Sequence, residues 1–361
     1  MARRSTIFSH VAARATRRVA LVGVAVGTAA LLACSDQPTA PSGATPSLPN
    51  VNTDRNEHAS PTAHRLVTGL GRARGSAVGP DGALYVAQAA VGAIARVDPK
   101  NGTVTTFASG LPLSGSPAGG VVDVAFVGRT AYALATLVSP DVGGTSADGI
   151  YRVDGPHSFT LVADVGAYSM AHLPPPDFPI GVKTGVQYAL EPFRHGFLVS
   201  DGHHNRVLRV SHDGDITTLM QFGNIVPTGV AVRDNTVYMA EAGPIPHLPA
   251  DGKVVTFSPG SATATEIAHG APLLVDVEFG RGRALFALSQ GVGSGGPPAT
   301  PALPNTGSLA RVNRDGTLTV ITGGLDRPTS LKFIGNTAYI VTLGGEIWTI
   351  KIGGQHSEED D

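Results

Sequence analysis

The chain has 361 residues, of which 46 are glycine and 27 are proline, and apolar residues make up 42% of the total. This apolar content is enough for a large folded core and argues against a mostly disordered chain. The only cysteine is Cys34, which excludes a disulfide framework, a thiol-rich zinc site and dithiol redox chemistry within the chain.

The N-terminus has the organisation of an export signal. Basic residues from Arg3 to Arg18 precede an apolar and small-residue run, Val19–Ala33, that is too short for an ordinary membrane span. The run ends in Leu-Leu-Ala followed by Cys34, which resembles the bacterial lipobox. That resemblance implies cleavage before Cys34 and lipidation of its thiol. The alternative is a plain signal peptide or membrane helix in which the cysteine is incidental.

The charge of the mature chain excludes one class of partner. Loss of residues 1–33 removes five of the 26 basic side chains and none of the 28 acidic ones, which leaves a net charge of −7. A nucleic-acid partner needs a basic surface, and none is present in the sequence. We therefore expect no nucleic acid, and membrane contact through the N-terminal lipid only. Ser35 after the lipidated position resembles the sorting signal for the outer membrane, on its periplasmic or surface side.

The chain divides into four segments. Residues 1–33 are the predicted signal peptide, and residues 34–63 form a polar, proline-rich stretch that predicts a disordered tether. Residues 64–352 form the folded domain, and residues 353–361 form a short acidic tail.

An internal repeat determines the predicted fold. Six segments contain an aromatic-led apolar strand, which begins near Tyr85, Tyr132, Phe197, Tyr238, Phe286 and Tyr339. Asn-Gly or Asp-Gly turns follow several of the next strands, and such dipeptides are typical of tight β-hairpins. Four antiparallel strands repeated in this way predict an all-β, six-bladed β-propeller. The last blade lacks a fourth strand, so we expect the segment from His64 to Leu70 to supply it and close the ring.

The long loops of this propeller are predicted to share one face. The connections between first and second strands are short, whereas the long connections occur at residues 109–120, 139–149, 165–183, 242–252 and 290–307. Long loops on a rigid scaffold frequently carry binding function. The alternative is that they are tolerated insertions.

Acidic residues near the start of the first strands are candidates for a metal site. One repeated position is occupied by Ser76, Asp123, Gly185, Gly229, Asp276 and Ser330. Because the second and fifth blades are opposite each other, we expect Asp123 and Asp276 to face across the axial tunnel near its loop-bearing mouth. There they would bind Ca²⁺ or polar ligand groups, with Glu241 as a further acid. The alternative is hydrogen bonding to backbone and water.

Histidines and polar residues form a second candidate set on the long-loop face. These residues are Tyr168, His172, Asp201, His203, His204, Asn205 and His247. Asp201, His203 and His204 place three potential metal ligands within four residues, but without the spacing of known transition-metal sites. The alternative is a set of solvated loop residues.

Blade three resembles one known type of propeller repeat, and blades two to six together resemble a known propeller family. The segment Phe197–Val207 resembles an NHL-type repeat. The segments Gly149–Asp154, Pro227–Val232, Glu241–Pro249 and Leu274–Phe279 resemble the ScyD/ScyE-like family of secreted propellers. This resemblance extends over essentially Thr68 to Lys351 and implies a six-bladed fold and export, but no catalytic residues.

A wider resemblance is to the six-bladed SMP-30/gluconolactonase-like and calcium-dependent phosphotriesterase superfamily. That superfamily holds an axial Ca²⁺ with an acid from the first blade and Asn or Asp from later inner strands. This chain departs from the pattern, because Gly75-Ser76, Gly185 and Gly229 stand where ligands are expected.

Three functions remain open from the sequence. The first is a lipid-anchored extracytoplasmic propeller that binds a small molecule, glycan or envelope protein through its long-loop face. The second is a Ca²⁺-dependent lactonase or esterase with an axial site formed by Asp123, Asp276 and Glu241, in which the ion polarises a carbonyl or activates water. The third is an envelope scaffold.

Overall fold

A computed structural model describes residues 61–175, 181–244, 247–248, 250–296 and 300–353. The predicted signal peptide, lipidation site and most of the tether, and all but the first residue of the acidic tail, lie outside this range. Among the described residues, no helix is long and apolar enough to cross a membrane.

The described chain forms six four-stranded antiparallel sheets arranged as the blades of a propeller, as the repeat predicted. In chain order, the strands of the N-terminal half are β1 (Ala63–Val67), β2 (Ala73–Val78), β3 (Leu84–Gln88), β4 (Ala93–Val97), β5 (Val104–Ser109), β6 (Gly120–Val127), β7 (Thr130–Thr136), β8 (Gly149–Gly155), β9 (Ser158–Asp164), β10 (Gln187–Pro192), β11 (Gly196–Asp201), β12 (Arg206–Ser211) and β13 (Ile216–Gln221). A short helix, α1 (Val165–Ala171), lies between β9 and β10.

The C-terminal half continues the same pattern. Its strands are β14 (Pro227–Arg233), β15 (Thr236–Glu241), β16 (Lys253–Phe257), β17 (Thr265–His269), β18 (Leu274–Phe279), β19 (Leu285–Ser289), β20 (Gly307–Val312), β21 (Leu318–Leu325), β22 (Pro328–Ile334), β23 (Thr337–Thr342) and β24 (Ile347–Lys351). Two single 3₁₀ turns occur at Pro140–Val142 and Arg281–Arg283.

The ring is closed by the N-terminal strand. Strand β1 pairs antiparallel with β24, with Ala63 opposite Ile350, and completes the sheet of β22, β23 and β24. Blade one is therefore β2–β5, and blades two to five follow in order. Because the inner strand of every blade begins at the face that carries the long loops, β1 enters and β24 leaves at the opposite, short-turn face.

The core lies between neighbouring blades. Each of six apolar clusters combines residues from two adjacent sheets, as where Leu134 of blade two meets Phe197 of blade three. Strand residues alternate between the two sheet faces, so each blade packs against both neighbours. This arrangement leaves the inner edges of β2, β6, β10, β14, β18 and β22 to line the axis.

Candidate functional site

A cavity of about 260 Å³ occupies the axis and is lined by the innermost strands of all six blades. The Tyr188 hydroxyl donates a hydrogen bond of 3.3 Å to the carbonyl oxygen of Thr329. Because these residues belong to opposite blades and begin their strands, the tyrosine ring spans the axis at the long-loop end.

The other end of the cavity lies toward the short turns. Its lining continues to Val78, Pro192, Phe279 and Phe333, at the carboxyl ends of the inner strands. These positions are partly exposed or exposed, whereas the starts of the same strands are mostly buried. The cavity is therefore entered from the face opposite the long loops.

Asp123 and Asp276 both line this cavity, within the axial tunnel where the sequence placed them, but Tyr188 closes the long-loop end that was expected to be the mouth of the tunnel. The Asp123 carboxylate accepts hydrogen bonds from the backbone N–H groups of Val124 (2.8 Å) and Leu190 (2.7 Å). Because Leu190 belongs to blade three, the carboxylate joins two blades.

The Asp276 carboxylate makes the equivalent pair of bonds. It accepts from the N–H groups of Val277 (2.9 Å) and Leu331 (2.7 Å), the latter in blade six. Both aspartates therefore act as staples between neighbouring blades, which is the hydrogen-bonding alternative considered above.

The staples require small neighbours. A Cβ atom at position 75 would lie 2.0 Å from Oδ1 of Asp123, and one at position 229 would lie 2.4 Å from Oδ1 of Asp276. Glycine at these two positions leaves room for the carboxylates.

The predicted set of equivalent positions was wrong in two places. Asp276 accepts from Leu331, which directly follows the equivalent position Ser330 in the next blade. Asp123 accepts in the same way from Leu190, and Ser330 accepts from the N–H of Ser76 (3.1 Å). The residues equivalent to Asp123 are therefore Ala189 in blade three and Gly75 in blade one. Ser76 lies one residue after the equivalent position of blade one, and Gly185 lies before β10 begins, outside the inner strand of blade three. Each inner strand contains a β-bulge near its start, which shifts the count from the aromatic residue.

The environment of the two aspartates shifts their ionisation. Burial raises the pKa of Asp123 to about 7 and that of Asp276 to about 6, partly offset by their backbone hydrogen bonds and by Lys332. The proximity of Asp276 contributes to the rise in the pKa of Asp123. The two groups therefore affect each other across the cavity.

Sequence reasoning missed three further charged residues of the cavity. Glu191, Glu278 and Lys332 each stand fifth in an inner strand and line the same space. Lys332 Nζ lies 2.5 Å from Oε2 of Glu278, and Oε1 of Glu278 accepts from the N–H of Phe279. Extending the repeat comparison by two residues beyond Asp276 and Ser330 would have found Glu278 and Lys332, whereas the misplaced Gly185 leads to Gln187 and misses Glu191.

Glu191 differs from the other carboxyl groups. Within the described residues, its carboxyl group has no hydrogen-bond or ion-pair partner, and burial raises its pKa to about 8. The nearby Lys332 opposes this rise, whereas Glu278 and the two aspartates add to it. At neutral pH this group is therefore mostly protonated.

Glu241 does not join the aspartates. It ends β15, outside the cavity lining, and the charged neighbours that affect its ionisation are Lys253 and Glu266. Burial raises its pKa to about 7. Across the described part of the chain, no group of three or more His, Cys, Asp or Glu side chains is placed to hold a metal ion.

The conspicuous polar turn of blade three is buried rather than exposed. Asp201 and His204 have no exposed surface, and Arg206 is 2% exposed. Arg206 Nη2 lies 3.2 Å from Oδ2 of Asp201 and 3.0 Å from Nδ1 of His204, and it donates to the Ser169 hydroxyl at 2.8 Å. These contacts attach α1 to blade three.

Most of the other predicted residues of the long-loop face adjoin this turn. Arg206 Nη1 donates to the His172 carbonyl oxygen at 2.6 Å and its guanidinium lies over the Tyr168 ring, on which the exposed His172 stacks. Within the turn, Asn205 is buried and accepts from the N–H groups of residues 225 and 226, and the half-buried His203 accepts from a backbone N–H. His247 lies in blade four, where its Nδ1 is 2.8 Å from the Gly243 carbonyl oxygen.

Comparisons with known proteins identify relatives of the fold. No protein-family model matches the chain, and no curated protein matches it in sequence. A gluconolactonase from Xanthomonas campestris has a TM-score of 0.57 at 13% identity, covering 81% of this chain and 90% of that chain. The PQQ-bound aldose sugar dehydrogenase from Streptomyces coelicolor has a TM-score of 0.53 at 15% identity, covering 80% and 98%.

A third relative is a virginiamycin B lyase from Staphylococcus aureus, in a catalytically inactive form with quinupristin, with a TM-score of 0.50 at 15% identity, covering 81% and 99%. At these identities the likeness shows that the propeller fold of the chain is similar to the folds of these three proteins.

Proposed function

We propose that this protein is an exported, lipid-anchored propeller of the ScyD/ScyE-like type that binds a partner protein through its long-loop face. The observation that carries the proposal is the placement of exposed apolar side chains. Of the eleven large apolar residues exposed in the described chain, seven lie on this face. They are Val91, Leu113, Met170, Leu173, Leu248, Val292 and Leu303.

Some of these side chains are neighbours. Leu113 packs against Gly92, next to Val91, where the loops of blades one and two meet. Within the long loop of blade five, the N–H of Leu303 donates to the carbonyl oxygen of Val292 at 2.8 Å. Exposed apolar groups gathered on one face are typical of a protein interaction surface.

The loops that carry them are poor in charge. The stretches 109–120, 139–149, 242–252 and 290–307 contain no lysine, arginine or glutamate. The central part of a protein–protein interface is depleted in charged residues. Their charged residues are Asp141, Asp148 and Asp251, and the fifth long loop, 165–183, adds Asp177 and Lys183. Aliphatic side chains on loops with so few charges favour a protein partner with an apolar surface over a glycan or a small polar ligand.

The chain enters β1 at the short-turn face, opposite the long loops that carry the proposed binding surface. The lipid anchor of the proposal is supported by the N-terminal sequence that ends at Cys34. Replacement of Cys34 by alanine should release the protein from the membrane fraction, whereas a Ser35→Ala variant should stay there.

Site-specific photo-crosslinking in the native cells tests the binding face. A photoreactive residue at Leu113 or Leu303 should yield a discrete cross-linked protein adduct. The same residue at Val104 or Val320, which are exposed on outer strands away from the long loops, should not. Equal labelling at both sets of positions, or none at Leu113 and Leu303, would contradict the proposal.

A further inference from the structure

Arg74 places a cation on the long-loop face. It is the second residue of β2, and this strand begins at that face. In β2 the axial cavity is lined from Gly75 onward, but not by Arg74. Arg74 Nη2 instead donates to the carbonyl oxygen of Pro117 at 2.7 Å, in the long loop 109–120. The side chain is therefore directed toward this loop and away from the cavity.

The guanidinium group of Arg74 is incompletely paired. Its Nε is buried and has no hydrogen-bond acceptor among the described residues. A guanidinium has five N–H donors, whereas the described chain offers this one a single acceptor, the Pro117 carbonyl, and no carboxylate within ion-pair distance. An unpaired donor of a charged group is costly to bury, so the missing acceptor indicates a group supplied from outside the chain.

Two other arginines show how the chain itself pairs such a group. Arg206 contacts the Asp201 carboxylate, and Arg327 Nε lies 2.7 Å from Oδ1 of Asp326. Each therefore has an acidic partner supplied by the fold. Arg74 has none in the described part of the chain, although it is partly exposed and can be approached from the long-loop face.

The electrostatic surroundings of Arg74 favour an anion. Burial lowers the pKa of Arg74; Tyr188 opposes this fall, whereas the positive charge of Arg72 adds to it. Burial also raises the pKa of Tyr188, so its phenol is neutral at pH 7 and brings no negative charge. An incoming anion would therefore meet a cation that is not yet neutralised.

We infer that the partner protein places an aspartate or glutamate side chain against the guanidinium of Arg74. The inference rests on the protein-binding function proposed above and names the charged contact of that interface. A carboxylate accepts two parallel hydrogen bonds from a guanidinium, and the long arginine side chain can turn its Nε edge toward it.

The apolar surface of the long-loop face surrounds this contact with suitable neighbours. Exposed Leu113 precedes Pro117, the residue that holds Arg74, in the same loop. One loop thus brings an apolar contact and the charged contact to the same interface. Arginine is among the residues that contribute most to binding when neighbouring contacts exclude water.

Photo-crosslinking from Leu303 in the native cells tests the contribution of the charge. Arg74→Met keeps the aliphatic stem and removes the guanidinium, so the yield of the cross-linked adduct should fall at least about tenfold. Arg281→Met removes an exposed arginine from the short-turn face and should leave the yield unchanged.

A zero-length cross-linker tests the chemistry of the contact. In lysed native cells, a water-soluble carbodiimide should couple the amine introduced by Arg74→Lys to a carboxylate of the same partner. Mass spectrometry should locate the resulting amide at an aspartate or glutamate side chain. Arg281→Lys, the matched control, should give no linkage to that partner.

The failures of the two proposals are distinguishable. Without an adduct from Leu113 or Leu303 in the otherwise unmodified protein, the protein-binding function and this inference both fall. An adduct of equal yield in the Arg74→Met protein, shown by circular dichroism to be folded, would overturn this inference alone. Should Arg74→Met not fold, a missing carbodiimide linkage in folded Arg74→Lys overturns it, as does a linkage to the partner's C-terminal carboxylate.

Discussion

The polar turn of blade three and the axial cavity both bury charge, but they do so in different ways. Asp201 and Arg206 are almost fully buried, and each has several partners within the chain. Glu191 lines the cavity and is partly exposed, and the described residues offer its carboxyl group no partner. The polar groups of the first region attach α1 to the propeller, whereas the second region contains one carboxyl group, that of Glu191, without a partner in the described chain.

This difference shows why a cluster of polar residues in the sequence is a poor guide to function by itself. The turn around His203 and His204 has the composition of a ligand site, but its side chains face inward and satisfy one another. Glu191, Glu278 and Lys332 are far apart in sequence and come together at the axis only when blades three, five and six surround it.

The largest effect is expected from breaking the blade-three cluster. Replacing Arg206 by methionine would leave Asp201 buried without its ion-pair partner, which typically costs about 3–5 kcal/mol of folding free energy. Urea unfolding measures this loss. Arg209→Met, on the same strand but half-buried and without an ion pair in the described chain, is the matched control. A similar loss in both variants would contradict a specific role of the cluster.

An intermediate effect is expected where the aspartate staples need space. Replacing Gly75 by alanine places a Cβ against the Asp123 carboxylate and should cost about 1–3 kcal/mol. Gly115→Ala is the control, because no atom lies within 4 Å of its added Cβ. Removal of the carboxylate by Asp123→Ala in the Gly75→Ala background should recover part of the loss, and strictly additive effects would count against the steric explanation.

The smallest effect concerns Glu191 and appears as a change of the free energy of unfolding with pH. Its folded-state pKa of about 8 is above that of an unfolded glutamate, so the native protein holds a proton that the unfolded chain has released. Stability is therefore highest at low pH in this window and falls as pH rises toward 8, by at most about 1.4 kcal/mol per pH unit.

Glu191→Gln should flatten this decline between pH 7 and 8, as measured by denaturant unfolding at each pH. Glu241→Gln should flatten it mainly below pH 7, because burial raises the pKa of Glu241 only to about 7. Parallel curves for Glu191→Gln and the unmodified protein would show that Glu191 is not held protonated.

The fold was largely predictable because its signals are local. Tight turns such as Asn101-Gly102 and the aromatic start of each second strand specify hairpins within a few residues, and their repetition specifies the ring. Closure by the strand that begins at Ala63 was predicted from the missing fourth strand of the last blade and is confirmed by its pairing with β24.

The site was only partly predictable. Asp123 and Asp276 were correctly expected in the axial tunnel, but the bulges at the strand starts misplaced Ser76 and Gly185. Glu241 was expected beside the aspartates and lies elsewhere, because the end of a second strand is one strand removed from the axis. Nothing local in the sequence distinguishes Glu191 from an ordinary strand glutamate.

The sequence by itself therefore determined the repeat, the number of blades and the face that carries the long loops, and it predicts an export signal with a lipidation motif. Hydrophobic alternation and turn chemistry act over short distances, so they are readable along the chain. Only the tertiary structure decided which polar groups are paired with each other in the folded chain, which end of the axial cavity is closed by Tyr188, and which carboxyl group has no partner among the described residues. Those outcomes depend on atoms from opposite blades, which come together only when the ring is closed.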